Sequence, residues 1–225
     1  MGEVELLPDK NLLISHATII IYGDAANDGL AFQIATDIEK FWNDAEGKAV
    51  IRDGWFSKNI YQVRFSITGK YDPELTPEIV FDNTNPRNNY FRIEEYASGD
   101  ISFVDEINSN TGYFKLQNVL DNSTTAAHEF GHTLGLIHPY SLDIRGEGTP
   151  GIMYPRGTLV DPHFQYYPEV AAGEKGGTLN PFTRKVLQKD IDDLHLEELI
   201  FSKNGFAVIG GFSSVWHQKH LPEPD

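Results

Sequence analysis

Apolar residues follow two rhythms along this chain. The run Ala17-Thr18-Ile19-Ile20-Ile21-Tyr22 is short, β-branched and apolar throughout, the signature of a buried strand. Within residues 28–42, Leu30, Ala31, Ile34, Ala35, Ile38, Phe41 and Trp42 recur at intervals of three and four. That spacing predicts a helix with one buried stripe, closed by Gly47. Tyr61, Val63, Phe65 and Ile67 then alternate with Gln62, Arg64, Ser66 and Thr68, the period-two pattern of a half-buried strand. Further strands are predicted over residues 89–96 and 101–105, separated by the turn formers Ser98-Gly99-Asp100, and a shorter one through Tyr113, Phe114 and Leu116. A second helix starts near Ser123. The order of strand, helix, strands and helix predicts an α/β or α+β architecture around a mixed sheet, and the α+β form is the one expected with the motif at residues 128–138.

After His138 the texture changes. Residues 139–177 are rich in Gly and Pro and have little periodicity, so a long ordered loop region is expected, of the kind that usually carries function. A last helix is predicted over residues 183–199, where Leu187, Ile191, Leu194 and Leu199 share a face. The tail through Pro222 and Pro224 is expected to fray.

The 225 residues suit one domain, and 40% hydrophobic content is enough to build a core. A net charge of −15 repels phosphate backbones and anionic lipid, so neither nucleic acid nor a membrane is an expected partner. The absence of cysteine excludes disulfides, thiolate metal sites and a cysteine nucleophile. No stretch reaches the ~18 apolar residues of a membrane span. Met1-Gly2-Glu3-Val4-Glu5 lacks the regions of a signal peptide, so secretion is expected only if a leader has been removed. Asp24, Asp28, Asp100, Asp105, Asn108 and Asn110 are oxygen donors that calcium can use, but none has EF-hand spacing, and solvated loop carboxylates are the better reading.

The chemistry concentrates in residues 128–138, His-Glu-Phe-Gly-His-Thr-Leu-Gly-Leu-Ile-His, which satisfy H-E-x-x-H-x-x-G-x-x-H at all five specified positions. A chance match of this kind is expected on the order of once in ten thousand chains of this length. On a helix capped by Ser123, His128 and His132 stand one above the other and face one point. Gly131 costs that helix about 1 kcal/mol relative to alanine, which implies close approach by another segment or by substrate. Gly135 can adopt the left-handed conformation that ends the helix and returns His138 to the same point. Three neutral imidazoles are a catalytic zinc set with an open fourth position, where a bound water reaches a pKa near ~7. Glu129, beside the first ligand, is placed to take a proton from that water and pass it to a leaving amine. His16, His163, His195, His217 and His220 have no such support.

This stretch resembles the metzincin clan of zinc endopeptidases, and Ala126-Ala127-His128-Glu129-Phe130-Gly131-His132 looks most like the matrixins. The clan's second mark, a methionine in a tight turn beneath the zinc, is matched by Gly151-Ile152-Met153-Tyr154-Pro155. The resemblance implies a zincin fold: an upper lobe (about residues 12–138) with a twisted mixed sheet and two helices, an irregular lower lobe (about 139–200) ending in a helix, and a tail (201–225). It implies that Met153 is a hydrophobic base under the ligands, and that Pro155, with Tyr154, walls the pocket for the side chain after the scissile bond. The chain departs from the matrixins in having Gly157 where they have a tyrosine, and from the serralysins in having Pro155 where they have one, so Tyr154 and Tyr140 are the remaining candidates to assist an oxyanion. The link from His138 to Met153 is longer than the usual matrixin one, implying an inserted loop around Arg145-Gly146-Glu147-Gly148. Many bacterial relatives of this general kind are secreted proteases or toxin-type effectors, so the resemblance implies a bacterial origin and a monomer acting on a protein or peptide substrate. A zinc-bearing binding module without turnover and an amidase acting on a non-peptide substrate are the alternatives.

Overall fold

The computed structural model describes residues 1–53 and 57–222. Its centre is β2 (Leu12–Tyr22), whose second half is the predicted run at 17–22. Strand alternation sends Ile19 and Ile21 into the main core and Ile20 and Tyr22 into a smaller cluster with Leu75, Val80 and Tyr90. Both faces of the strand are therefore covered, which explains its unbroken apolar run.

β2 pairs in parallel with β4 (Ser57–Tyr71) on one side. On the other it pairs first with β1 (Gly2–Leu7), antiparallel, and then with β5 (Asn88–Glu94), parallel. β3 (Lys48–Asp53) folds antiparallel onto β4, and β7 (Thr111–Lys115) runs parallel to β5. β6 (Phe103–Val104) lies antiparallel outside β7, and the sheet order is β3-β4-β2-β5-β7-β6. β8 (Phe206–Ile209) pairs with β1. The result is a curled mixed sheet with four α-helices among the described residues, the expected α+β class.

α1 (Asp28–Asn43) is the predicted amphipathic helix; Asn27 caps it by accepting the Leu30 N–H at 2.9 Å. α3 (Thr125–Thr133) packs beside it on the same face of the sheet, and Trp42 Nε1 donates to the Ala127 carbonyl at 3.1 Å. A short α2 (Pro77–Phe81) supplies Val80 to the smaller cluster. No helix among the described residues is long and apolar enough to cross a membrane.

Two expectations need correction. The helix predicted over 183–199 is broken: a 3-10 turn at Pro181–Thr183, α4 (Gln188–Asp192), and a second 3-10 turn at Leu196–Glu198. Leu187 is extended and His195 is left-handed (φ 48°), so the intervals of three and four arise from successive turns with different axes. The tail does not fray. β8 joins the sheet, Trp216 stacks on Tyr22 at 4.6 Å, and His217 pairs with Asp105 at 2.8 Å; Pro224 lies outside the described residues. The long loop region is ordered as expected, held by bridges Asp143↔Leu159 and Gln165↔Leu179 over a small core of Ile144, Val160 and Leu179.

Candidate metal centre

α3 is short, and every one of its nine residues is buried, so its position is set by packing more than by propensity. Phe130 anchors it edge-on against Trp42 and Phe65. At its start Thr124 is the cap residue but makes no side-chain cap bond, and Ser123 Oγ instead accepts the Thr125 N–H at 3.2 Å.

The i,i+4 spacing puts His128 and His132 on one side of this helix. Gly135 adopts φ +107° and the chain reverses, with the Leu136 N–H returning to the Gly131 carbonyl at 3.0 Å. His138 Nε2 thereby reaches 3.1 Å from the Nε2 atoms of both His128 and His132. The first two rings are buried and His138 is exposed, so the point of convergence lies at the floor of an open cleft.

The outer nitrogens fix the tautomers. His128 Nδ1 donates to the Ile152 carbonyl and His132 Nδ1 to the Leu136 carbonyl, each at 2.7 Å. Both Nε2 atoms then present lone pairs inward. Burial pushes the pKa of His128 well down, that of His132 to about 4, and that of His138 below its usual value, so all three are neutral near pH 7. With those two Nε2 atoms unprotonated and His138 Nε2 3.1 Å from each, a cation at the point of convergence satisfies all three nitrogens when His138 also presents its lone pair. Bonds of about 2.0–2.1 Å in tetrahedral geometry put zinc-bound nitrogens about 3.3 Å apart, close to the observed spacing. The donor set fits a metal ion.

Met153 explains Gly131. A Cβ at Gly131 would meet Met153 Sδ at 2.4 Å, so the close approach expected there is made by the Met153 segment, directly under the helix turn that joins the two histidines. The same segment supplies the Ile152 carbonyl that holds His128.

Glu129 is 6% exposed. Burial pushes its carboxyl up to about 8, opposed by the Arg184 guanidinium and the Val104 backbone N–H, which lower it. Arg184 is a residue of the site that sequence reasoning assigned only to a closing helix. Its Nε donates to Thr124 Oγ1 at 2.9 Å and its Nη1 to the Tyr154 carbonyl at 3.0 Å. Nη1 also sits 2.9 Å from His128 Nδ1, which is already committed to Ile152 as a donor. No signal in the local sequence marks this contact, which spans 56 positions.

Two cavities meet at His138. One, beside Glu129, is lined by Pro155, Arg156 and Arg184; the other by Met153, Tyr154 and Tyr140. Pro155 and Tyr154 thus wall different cavities. Tyr140 is 96% exposed. The inserted loop around Arg145 is exposed, with Arg145 paired to Asp143. Of the oxygen donors considered for calcium, Asp24 pairs with Lys219, Asp100 with Lys115, and Asp105 with His217. His220 stacks on Tyr113 at 4.1 Å.

No protein-family model matches this chain, and no curated protein matches it significantly. The metzincin resemblance rests on the residues of the motif alone.

Proposed function

We propose that this protein is a zinc-dependent endopeptidase of the metzincin kind, with His128, His132 and His138 as the metal ligands and Glu129 as the general base. The observation that carries the reading is the convergence of three neutral imidazoles, with His138 Nε2 3.1 Å from the Nε2 atoms of His128 and His132, in a cleft that Glu129 also lines. Zinc held by His128, His132 and His138 would supply Lewis acidity toward a water and a carbonyl, and its charge would lower the pKa of Glu129.

The chain's own groups do the rest. Ionised Glu129 accepts a proton from the attacking water and delivers it to the leaving amine. The carbonyls of Ile152 and Leu136 hold the imidazoles in register, which keeps the ligand geometry from being rebuilt on each turnover. Among the described residues β6 pairs with β7 alone, and its outer edge offers an extended peptide a strand to pair with beside the cleft.

Metal analysis with a peptide-library digest tests the reading on the parent and on Glu129→Gln. The parent is expected to cleave, and the variant to retain about one zinc per chain without turnover. Equal cleavage by both removes Glu129 from the mechanism. Bound zinc with no cleavage of any peptide by the parent selects the binding module.

A further inference from the structure

The cleft beside Glu129 has a charge that hydrolysis by itself does not require. Ile101, Ser102, Thr125 and Pro155 form much of its wall around ≈ 350 Å³, and Arg156 and Arg184 complete it. Glu129 is the one carboxylate residue among its described lining, in a molecule whose net charge is −15. Neither arginine forms a salt bridge among the described residues, although Arg184 and Glu129 are close enough for each to favour the other's charged form. The ion-paired arginines among the described residues are Arg87, Arg92 and Arg145.

Arg184 is 4% exposed and is held rigidly by Thr124 and the Tyr154 carbonyl. Its Nη2 has no protein partner among the described residues, and that nitrogen is not one of the buried atoms sealed without a hydrogen bond. A buried guanidinium with a spare nitrogen on a cleft wall is a preorganised anion receptor. Arg156 is exposed, and its Nη2 donates to Asn118 Oδ1 at 3.0 Å, which steadies it while the rest of its fork stays free. The cavity on the other side of His138 has no arginine in its described lining and carries Glu147, Asp190 and Asp193, the last paired to Lys189. The arginine pair is therefore confined to the Glu129 side of the histidines.

We propose that this cleft is a specificity pocket for a substrate carboxylate, so that the favoured substrates are polypeptides with Asp or Glu flanking the scissile bond, held between Arg156 and Arg184. The proposal rests on the endopeptidase reading. An anionic peptide approaching a chain of net charge −15 is repelled at long range, so a preference for it has to come from this local pair.

The test uses the zinc-loaded full chain and fluorogenic peptides that differ only in carrying Glu, Gln or Leu at each position flanking the cut. Binding of the same peptides to Glu129→Gln is followed by fluorescence anisotropy. The expected result is a preference for Glu over Gln of about tenfold or more, the size of one charge-assisted hydrogen bond. Arg156→Gln, at an exposed position where folding is not at issue, is expected to reduce the preference to under about threefold, while Arg145→Gln, which removes the same charge outside the cleft, leaves it intact. Arg184→Lys, which keeps the charge and loses the fork, is expected to weaken it in part. Cleavage without a Glu preference, or with one that Arg156→Gln does not change, overturns the pocket and leaves the endopeptidase standing. Absence of cleavage combined with a Glu preference in binding that Arg156→Gln abolishes supports the pocket and removes the endopeptidase. Absence of both removes both.

Discussion

Asp190 is 7% exposed; its Oδ2 accepts the Leu187 N–H at 2.7 Å within the first turn of α4, and its carboxyl also accepts the Ile152 backbone N–H, which ties α4 to the segment that carries Met153. Burial raises its pKa from 3.8 to about 6, against the backbone N–H groups of Leu187 and Ile152, which lower it. The folded state therefore binds the proton more tightly than the unfolded chain. The stability contributed by protonated Asp190 is complete below the unfolded value of 3.8 and is lost as pH rises through about 6. His132 acts with the opposite sign: its pKa is lowered to about 4, so its contribution is present above 6.5 and is lost as pH falls through about 4. The two overlap, and a variant separates them. Asp190→Asn keeps an acceptor for the Leu187 N–H and does not titrate. Its stability relative to the parent is expected to grow by on the order of 2 kcal/mol as pH rises from about 4 to about 6, and then to stay level. Urea denaturation of both proteins across that range measures the difference, and a flat line would show that Asp190 is not the titrating group.

At the scale of the element, α3 shows why the site was legible. His128, Glu129 and His132 lie within five consecutive positions, so one helix brings them together, and Gly135 returns His138 by a turn that needs only φ +107°. Local geometry written in eleven residues survives any uncertainty about the rest of the fold. Arg184 and Asp190 were not legible as parts of the site, because their partners Thr124, Tyr154 and Ile152 are distant in sequence and their own segment has the spacing of a plain amphipathic helix. The sheet divides in the same way. β2 and β4 announce themselves through long apolar or alternating runs, whereas β3 offers only Ala49 and Ile51 as buried positions among its described side chains. Gly131 gives the element its own test. Gly131→Ala improves helix propensity by about 1 kcal/mol, yet its new Cβ would lie 2.4 Å from Met153 Sδ and has to push that sulfur aside. Overpacking of this kind costs about 1–3 kcal/mol. The variant is expected to melt at a lower temperature and to bind zinc at least about tenfold more weakly in chelator competition. Parent-like zinc affinity together with a higher melting temperature would mean that the Met153 contact does not hold the helix in place.

Across the whole molecule, the sheet is covered on both faces, and the two coverings have different origins. α1 and α3 fill one face with the large core that includes Trp42, Phe65 and Phe130. The other face is covered by α2 and by the segment that follows β8, in which Trp216 packs on Tyr22 and His217 Nε2 lies 2.8 Å from Asp105 Oδ1. Sequence patterning identifies the first face because a helix of sixteen residues repeats its stripe over four turns. The second face is covered by a segment without any repeat, so its sequence, with glycines at one end and prolines at the other, reads as a loose end until the partners across the sheet are known. Lys219 adds charge pairs to Asp24 and Glu94, but Lys219 and Asp24 are largely exposed and contribute little; the ring stack is the stronger tie. Trp216→Ala is accordingly expected to destabilise the protein by about 1–2 kcal/mol, more than a typical surface change. Because Tyr22 and Trp216 lie on the face away from α3, zinc content should stay at about one per chain. Denaturation midpoints and metal analysis of the purified variant check both parts: an unchanged midpoint would show that the segment is not a structural cover, and loss of zinc would show that the two faces are coupled.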